Sequence, residues 1–234
     1  SMLMWWPLIK SLDIPMPATK IVKVPERVFY EFMDGSDSID PYVAKFRRAA
    51  EGLGYPVFVR TDMTSGKHYW KDTCFVADES RLMTNIYRVV ESGLLADIIG
   101  LPCNALIFRE FIPMAARFTA FKGEMPVSPE RRYFIDGGKI ICHHPYWVED
   151  AIIEPSVDNW RELCTGMNTE TAEEVELLGG YAAQVAQAVP GGWSVDFCQA
   201  KDGRWILIDM ALAEQSWHPP LENCGKREEE NGDS

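Results

Sequence analysis

The chain has 234 residues, 47% of them hydrophobic and 12% aromatic, which is enough for one large domain or two closely packed lobes. Its formal net charge of −12 argues against broad binding to nucleic acids or anionic membranes, although a local basic pocket could still bind phosphate. No apolar run of about 18 residues, the length that spans a membrane, occurs in the sequence. Six scattered cysteines without a C-x-x-C pair are typical of reduced thiols, so we expect a cytoplasmic protein.

The first half of the sequence predicts two helices and three strands, separated by glycine and proline. Residues 1–30 contain several prolines and show no clear period, so no element is predicted there. Apolar residues recur at helical spacing in Pro41–Gly54, and glycines end that helix. The other predictions are strands over Val57–Asp62, Cys74–Ala77 and Ala105–Ile112, and a helix over Ile86–Ile99 that ends at Gly100.

The second half predicts two hairpins on either side of a long helix. The first hairpin spans Tyr133–Cys142 and turns on Asp136-Gly137-Gly138. The helix spans Thr171–Val189, and Thr171 with Glu174 forms a capping box at its start. This mixture of helices and antiparallel hairpins predicts an α+β fold rather than a doubly wound parallel sheet.

The second hairpin, Trp193–Met210, places two aspartates opposite each other. Asp202-Gly203 is the preferred centre of a two-residue type I′ turn, and with that turn Asp196 lies directly across from Asp209. Their Cβ atoms would be about 4.5–5.5 Å apart on one face, where like charges are destabilising unless something neutralises them. The usual partner of two such carboxylates is a hard divalent cation such as Mg²⁺. A longer turn would shift the register and leave one aspartate facing water.

The loop after the strand at Val57 has the composition of a phosphate-binding loop. It follows Arg60 and contains two hydroxyl side chains, a glycine and a lysine, in the order Thr64, Ser65, Gly66, Lys67. Phosphate oxygens are bound by backbone N–H groups, hydroxyls and cations of this kind. The loop does not match a Walker A motif. Since S-G-K turns are common on protein surfaces, an ordinary exposed turn is the alternative, and His68 either contacts phosphate or is exposed.

Two further segments leave alternatives open. The strand LIFREFIP, which begins at Leu106, is either half-buried, with Arg109 and Glu110 on opposite faces, or a hinge strand whose edge binds an adenine. The run Cys142-His143-His144 suggests zinc, but in a strand only Cys142 and His144 share a face. No further group completes a tetrahedral set in the sequence, so we predict no zinc site.

In this order, the segments resemble those of the ATP-grasp superfamily. VFVRTDMTSGKHYW is similar to the family's phosphate-covering strand and loop, and LIFREFIP to its hinge strand. RRYFIDGGKIICHHPYW is similar to its strand, turn and strand with an arginine, and WSVDFCQAKDGRWILIDM to its metal-binding hairpin. The likeness is closest to small ATP-grasp proteins of bacteria and phages, and to eukaryotic ATP-grasp factors that help assemble a translation initiation factor.

The resemblance implies a fold and a division of the chain. The expected fold is two α+β lobes with mixed or antiparallel sheets that grip a nucleotide, over residues 55–218. Residues 1–54 would form an N-terminal segment that packs on this core. The acidic tail over 219–234 is predicted to be disordered, because it is charged and has few apolar residues.

The resemblance also implies a role for each site residue. The two catalytic residues would be Arg132, which stabilises the γ-phosphate or an acyl phosphate, and Lys67. The nucleotide would be bound by residues on both sides of the cleft, with the phosphates at the first two and the adenine at the last three: Arg60, Lys67, Glu110, Phe111 and Ile112. Mg²⁺ would be held by Asp196 and Asp209. The family commonly has an asparagine two residues after its last acidic ligand, and this chain has Ala211 there, so water or Glu214 would complete the metal shell.

Strand alternation separates two neighbouring arginines. Arg131 and Arg132 come just before the apolar run Tyr133–Ile135, so their side chains point to opposite faces of a strand. We expect Arg132 to reach the cleft and Arg131 to be solvated.

The function that follows from the resemblance is Mg-ATP-dependent ligation of a carboxylate to an amine through an acyl phosphate. The expected partners are ATP and a small carboxylate or peptide substrate, with no nucleic acid and no membrane. The first alternative is a nucleotide-dependent binding or assembly factor without ligase turnover, which the loss of asparagine at Ala211 favours. The second is a phosphotransferase that acts on a small alcohol.

Overall fold

A computed structural model describes residues 1–97, 102–121 and 124–219, excepting the side chains of 96 and 97. The helices are α1 (Met2–Ile9), α2 (Glu26–Met33), α3 (Asp40–Glu51), α4 (Leu82–Asp97), α5 (Trp160–Asn168) and α6 (Ala172–Ala188). The strands are β1 (Thr19–Lys23), β2 (Val57–Thr61), β3 (Phe75–Val76), β4 (Ala105–Glu110), β5 (Phe118–Ala120), β6 (Met125–Val127), β7 (Glu130–Asp136), β8 (Lys139–Pro145), β9 (Trp193–Gln199) and β10 (Trp205–Leu212). No helix in the described ranges has both the length and the apolar composition needed to cross a membrane.

The first four-stranded sheet has the strand order β1-β4-β2-β3, and its neighbouring strands are antiparallel. Strand β4 lies inside this sheet and is buried from Ala105 to Arg109, which explains why its sequence is an almost continuous apolar run. Apolar residues from α2, α3 and α4 pack on one face, where the rings of Phe46 and Phe108 have centroids 5.9 Å apart. This packing places the start of the following loop at one edge of a rigid layer.

The second four-stranded sheet has the order β10-β9-β7-β8, again with antiparallel neighbours. Helix α6 covers one face with Leu178, Ala182 and Val185, which pack in the same apolar cluster as β7 and β9 side chains. The Thr171 side chain accepts a hydrogen bond from the Glu174 N–H, so the predicted capping box supplies the start of α6. The other face of this sheet forms a wall of the cleft described below.

The N-terminal segment contributes to both sheets. Strand β1, which the proline-rich sequence did not predict, pairs with β4 from Thr19 opposite Arg109 to Lys23 opposite Ala105. Helix α1 places Trp5 in the apolar cluster of the second sheet. The boundary at residue 54 stays a prediction. The disordered tail predicted over 219–234 lies, except for Pro219, outside the described residues, as does the Gly100 helix end.

Most predicted elements are confirmed with shifted ends. The helix predicted from Ile86 begins at Leu82, because a short 3-10 turn over Glu79–Arg81 leads into it. Strand β3 is two residues long and β4 ends at Glu110, two residues before the predicted end. The hairpin on Gly137-Gly138 is confirmed, and its strands extend beyond the predicted ends to Glu130 and Pro145.

The predicted two-residue turn of the last hairpin is wrong. The Ala200 N–H donates to the Arg204 carbonyl over 2.7 Å and closes a three-residue turn in which Gly203 has φ +91°. Such turns with a left-handed glycine are the next most common hairpin connection. A β-bulge between Leu207 and Asp209 adds one residue to β10 and cancels the shift. Asp196 therefore lies opposite Asp209 as predicted, by a different path.

Candidate functional site

A cleft of about 290 Å³ is lined by residues of both four-stranded sheets and of the loops that connect them. Every site residue that the sequence analysis named lies along this cleft, although the first and the last are 149 positions apart: Arg60, Lys67, Glu110, Phe111, Ile112, Arg132, Asp196 and Asp209. The structure thus brings the set together in one place. The role assigned to each residue stays a prediction.

A row of charged side chains crosses the second sheet. Arg132 on β7 is opposite Asp196 on β9, which is opposite Asp209 on β10, so the three lie on one face. Arg132 binds Asp196 through two parallel hydrogen bonds, Nε to Oδ1 and Nη2 to Oδ2, both 2.8 Å. Paired in this way, the two groups hold each other at a fixed position in the wall of the cleft.

Asp209 is neutralised by a residue of the first sheet. The Arg60 Nη1 lies 2.6 Å from Asp209 Oδ2, and this bond joins the two four-stranded sheets. Burial by itself raises the pKa of Asp209, but the Arg60 cation and its hydrogen bond outweigh that effect and lower the pKa. The two aspartates therefore each have an arginine partner, and repulsion between them does not by itself require a metal ion. The sequence argument from like charges is weaker for that reason.

Arg109 is a cleft residue that the sequence argument placed on a strand without a role. It lies on β4 and is 4% exposed, and its Nη1 donates to the carbonyl of Ile208. Its Nε and Nη2 are buried and have no hydrogen-bond partner among the described residues. Burial lowers the pKa of Arg109 to about 10, so the guanidinium is still charged at neutral pH. Two buried donors without an acceptor, on a residue that lines the cleft, are suited to an anionic ligand.

Glu130 is a second residue that the sequence analysis missed. It lies on β7 two positions before Arg132, so strand alternation places it on the same face, and it is 5% exposed. Its Oε1 is buried and accepts no hydrogen bond from the part of the chain that the structure describes. Burial raises the pKa of Glu130 to about 7, although Lys67 opposes this effect. The alternation from Arg132 was the signal in the sequence that could have revealed it.

Lys67 enters the cleft from the loop that follows β2. Gly66 has φ +61°, a left-handed conformation that favours glycine, and leads into a 3-10 turn over Lys67–Tyr69. The Lys67 Nζ lies 3.2 Å from the Tyr146 hydroxyl and 4.7 Å from the centre of its ring. Burial lowers the pKa of Lys67, but Tyr146 and Glu130 outweigh that effect and raise it above the usual value. Lys67 is therefore a permanent cation in this position.

Residues 110–112 lie where the chain passes from the first sheet to the second. Beyond them, the Ala115 N–H donates to the Gln199 carbonyl over 2.8 Å and the Lys201 N–H donates to the Pro113 carbonyl over 2.8 Å. Phe111 packs edge-on against a ring of β3, with centroids 5.0 Å apart. The predicted hinge strand is thus a connection between the two sheets, and its side chains form an apolar wall.

The remaining predictions for this region have mixed outcomes. The prediction that Arg131 is solvated is wrong, because it is 1% exposed and its Nε lies 2.5 Å from Glu174 on α6. Arg131 and Arg132 do point to opposite faces, as alternation requires. The Cys142 Sγ lies 3.0 Å from Nε2 of His218. Within the described residues, no group of three or more His, Cys, Asp or Glu is arranged to hold a metal ion.

Comparison with known proteins identifies the fold. A family model described as an ATP-grasp domain, the third family of its clade, matches residues 49–227, which is most of the chain. The chain belongs to the ATP-grasp family. No curated protein matches it in sequence. The α+β fold with two four-stranded antiparallel sheets around a cleft is therefore confirmed as an ATP-grasp fold.

Two solved structures show the same fold at low sequence identity. C-terminally truncated Cdc123 from Schizosaccharomyces pombe has a TM-score of 0.57 at 15% identity, over 89% of this chain and 81% of that one. The biotin carboxylase domain of the 2-oxoglutarate carboxylase from Hydrogenobacter thermophilus, solved with MgADP, ADP and bicarbonate, has a TM-score of 0.54 at 15% identity. That match covers 92% of this chain and 40% of the other. At this identity the likeness concerns the fold of the ATP-grasp domain alone.

Proposed function

We propose that this ATP-grasp domain binds Mg-ATP in the cleft and uses it to join a carboxylate to an amine. The observation that supports this most is the pair of uncompensated cations in the cleft. Arg60 and Arg132 are each paired with an aspartate, whereas Lys67 and Arg109 form no ion pair within the described ranges. They occur on a chain whose formal net charge is −12. Such a local reversal of sign is suited to a polyphosphate.

The two glutamates of the cleft offset these cations only in part. Glu130 has a pKa raised to about 7 by burial, so at neutral pH it is close to half protonated. Glu110 is exposed, and water screens its charge. A bound anion would therefore meet two cations of the cleft that are not yet neutralised.

The unsatisfied polar atoms of these residues fit the parts of a nucleotide. The two unpartnered N–H groups of Arg109 need acceptors, which phosphate oxygens supply. The unpartnered Oε1 of Glu130 needs a donor, which a ribose hydroxyl supplies. Phe111 and Ile112 provide apolar surface for a base. Both unpartnered side chains thus have a counterpart on ATP.

Asp196 and Asp209 are the residues that would hold Mg²⁺. Carboxylate oxygens are the ligands that this cation prefers, and it commonly keeps several waters beside one or two carboxylates and the phosphates. Two aspartates on one sheet face therefore fit the ion without a third protein ligand. Glu214, considered above as a third ligand, lies exposed in a turn over Ala213–Gln215. When bound, Mg²⁺ would neutralise charge on the transferred phosphoryl group.

In the proposed reaction, an oxygen of the substrate carboxylate attacks the γ-phosphorus and ADP leaves. The nitrogen of the amine then attacks the acyl carbon, phosphate leaves, and the amine proton passes to solvent. Arg132, which projects from the cleft face of β7, would stabilise charge on the phosphoryl group as it moves. Lys67 would hold the terminal phosphates from the loop that follows β2. These two residues are the proposed catalytic pair.

The second candidate is a nucleotide-dependent binding or assembly factor. Ala211 favours it, because it lines the cleft at the place where the family commonly has an asparagine ligand. A methyl group cannot coordinate a cation. A site with two protein ligands for Mg²⁺ could hold the nucleotide and still transfer its phosphoryl group slowly.

Nucleotide turnover distinguishes the two candidates. A ligase given the right carboxylate should release ADP and phosphate in equal amounts, and hydroxylamine should trap the acyl phosphate as a hydroxamate. A binding factor should be stabilised by Mg-ATP, by about 2.7 kcal/mol at a hundred times Kd, and should form no ADP with pools of amino acids or short peptides. Asp196→Asn is the control, because it should abolish Mg²⁺-dependent stabilisation in either case. Absence of any stabilisation of the unaltered protein by Mg-ATP would exclude both functions.

A further inference from the structure

The segment that presents Lys67 touches a part of the protein that is remote from its own sheet. The Lys67 segment, defined here as Gly66–Trp70, follows β2 of the first sheet. The ring of His68 lies flat on the ring of Phe121, with centroids 4.4 Å apart and planes within 4° of parallel. Phe121 follows β5 and belongs to a separate apolar cluster with Trp147 and Trp160. This stack therefore bridges two structural units across one end of the cleft.

Phe121 is held in an uncommon backbone conformation. Its φ of +53° lies in the left-handed region, which bulky side chains rarely adopt. Its N–H donates to the Ile153 carbonyl over 2.7 Å, and the residue is 9% exposed, with the ring 6.2 Å from that of Trp147. Strained residues of this kind are concentrated at functional sites, where the surrounding structure determines their position. The ring of Phe121 is thus a fixed platform for His68.

The other end of the Lys67 segment is anchored by Thr73. The Thr73 hydroxyl bonds to the carbonyls of Gly66 and Tyr69, over 2.7 and 2.8 Å. A Cβ at Gly66 would approach the Thr73 side chain to 3.3 Å, so the two are already in close contact. Lys67 lies between this anchor and the His68 ring, and its Nζ reaches Tyr146. His68 is otherwise exposed, so the stack is its main packing contact.

We infer that His68 and Phe121 are positioning residues whose stacked rings hold the Lys67 segment closed over the cleft. The inference rests on the proposed binding of ATP, because the expected consequence is the placement of Lys67 on the phosphates. His68 acts here through its ring face and not through a nitrogen–phosphate contact. Burial and the neighbouring Lys67 lower the pKa of His68, which keeps the ring neutral at pH 7.

The first test needs no nucleotide. The amides of Tyr69, Asp72 and Thr73 are bonded within the Lys67 segment and its anchor, so their hydrogen exchange reports on its opening. In His68→Ala they should exchange roughly two- to ten-fold faster than in the unaltered protein, the loss expected for one aromatic pair. His68→Phe, which keeps a flat ring, should retain slow exchange. Equal exchange in His68→Ala and the unaltered protein would overturn the inference.

The second test compares ATP with adenosine in the presence of Mg²⁺. His68→Ala should weaken ATP roughly two- to ten-fold and leave adenosine unchanged, because only the phosphate contact of Lys67 is disturbed. His68→Phe should bind ATP like the unaltered protein. If His68→Phe loses as much ATP affinity as His68→Ala, a nitrogen of His68 contacts phosphate and the inference is wrong.

A double variant shows whether His68 acts through Lys67. In a Lys67→Ala background, His68→Ala should have no further effect on ATP affinity, since the group that it positions is already absent. Two independent, additive losses would overturn the inference. If the unaltered protein shows no ATP binding while His68→Ala still speeds amide exchange, the stack holds the segment and the proposed function is what fails.

Discussion

Glu130→Gln is expected to make the nucleotide-free protein more stable at pH 8. The carboxyl group of Glu130 is buried in the cleft wall, and one of its oxygens accepts no hydrogen bond from the described residues. Burial disfavours the ionised form and raises the pKa from 4.5 to about 7, more than Lys67 lowers it. Glutamine has nearly the same shape as the protonated acid and cannot ionise, so the variant avoids this cost.

The magnitude follows from proton linkage. Because the pKa of Glu130 in the folded state is raised above its unfolded value, the folded state binds more protons between pH 4.5 and 7. The contribution to the free energy of unfolding is therefore complete below about pH 4.5 and is lost as the pH rises through 7. At 1.36 kcal/mol for each pKa unit, the cost of ionised Glu130 at pH 8 is about 3 kcal/mol, and near pH 5 it is below about 1 kcal/mol.

Urea unfolding at pH 5 and pH 8, without nucleotide or Mg²⁺, measures this difference. The midpoint for Glu130→Gln should exceed that of the unaltered protein clearly at pH 8 and only slightly at pH 5. Glu110→Gln is the matched control, since Glu110 also lines the cleft but is exposed, and its midpoint should change little at either pH. A variant that is less stable at pH 8, or equally changed at both values, would refute the reasoning.

Four further predictions concern charged residues of the two sheets and the loop between β2 and β3. Lys67→Ala should weaken ATP more than adenosine in calorimetric titrations, and equal losses would place Lys67 away from the phosphates. Asp209→Asn should abolish Mg²⁺-dependent ATP binding and also lower the melting temperature in metal-free buffer, because buried Arg60 loses its partner. An unchanged melting temperature would show that the pair is not needed for stability. Arg131→Ala should destabilise the fold by roughly 3–5 kcal/mol in urea, since it breaks a buried pair, and a loss below about 1 kcal/mol would contradict this. Arg132→Ala should instead lower kcat with little change in KM for ATP, and the reverse pattern would mean that Arg132 binds ground-state ATP.

Local patterns in the sequence determined the class of fold and many of its elements. The helical period and capping box of α6, and the alternation and turn residues of the hairpins, depend on neighbours within a few positions, which a sequence displays directly. The order of the motifs indicated the family, and all eight named site residues lie along the cleft. Even the opposed aspartates were predicted, although the longer turn and the bulge at Ile208 that together produce the register were not.

The tertiary structure alone decided which charges meet. Arg60 and Asp209 come from different sheets, and no local period indicates that one neutralises the other. The burial of Arg131 against α6, the place of β1 beside β4 and the positions of Arg109 and Glu130 in the cleft likewise depend on how the layers pack. The physical reason is that turn length and strand alternation act over a few residues, whereas burial and ion pairing depend on distances in space. Those distances are set only when both sheets have closed around the cleft.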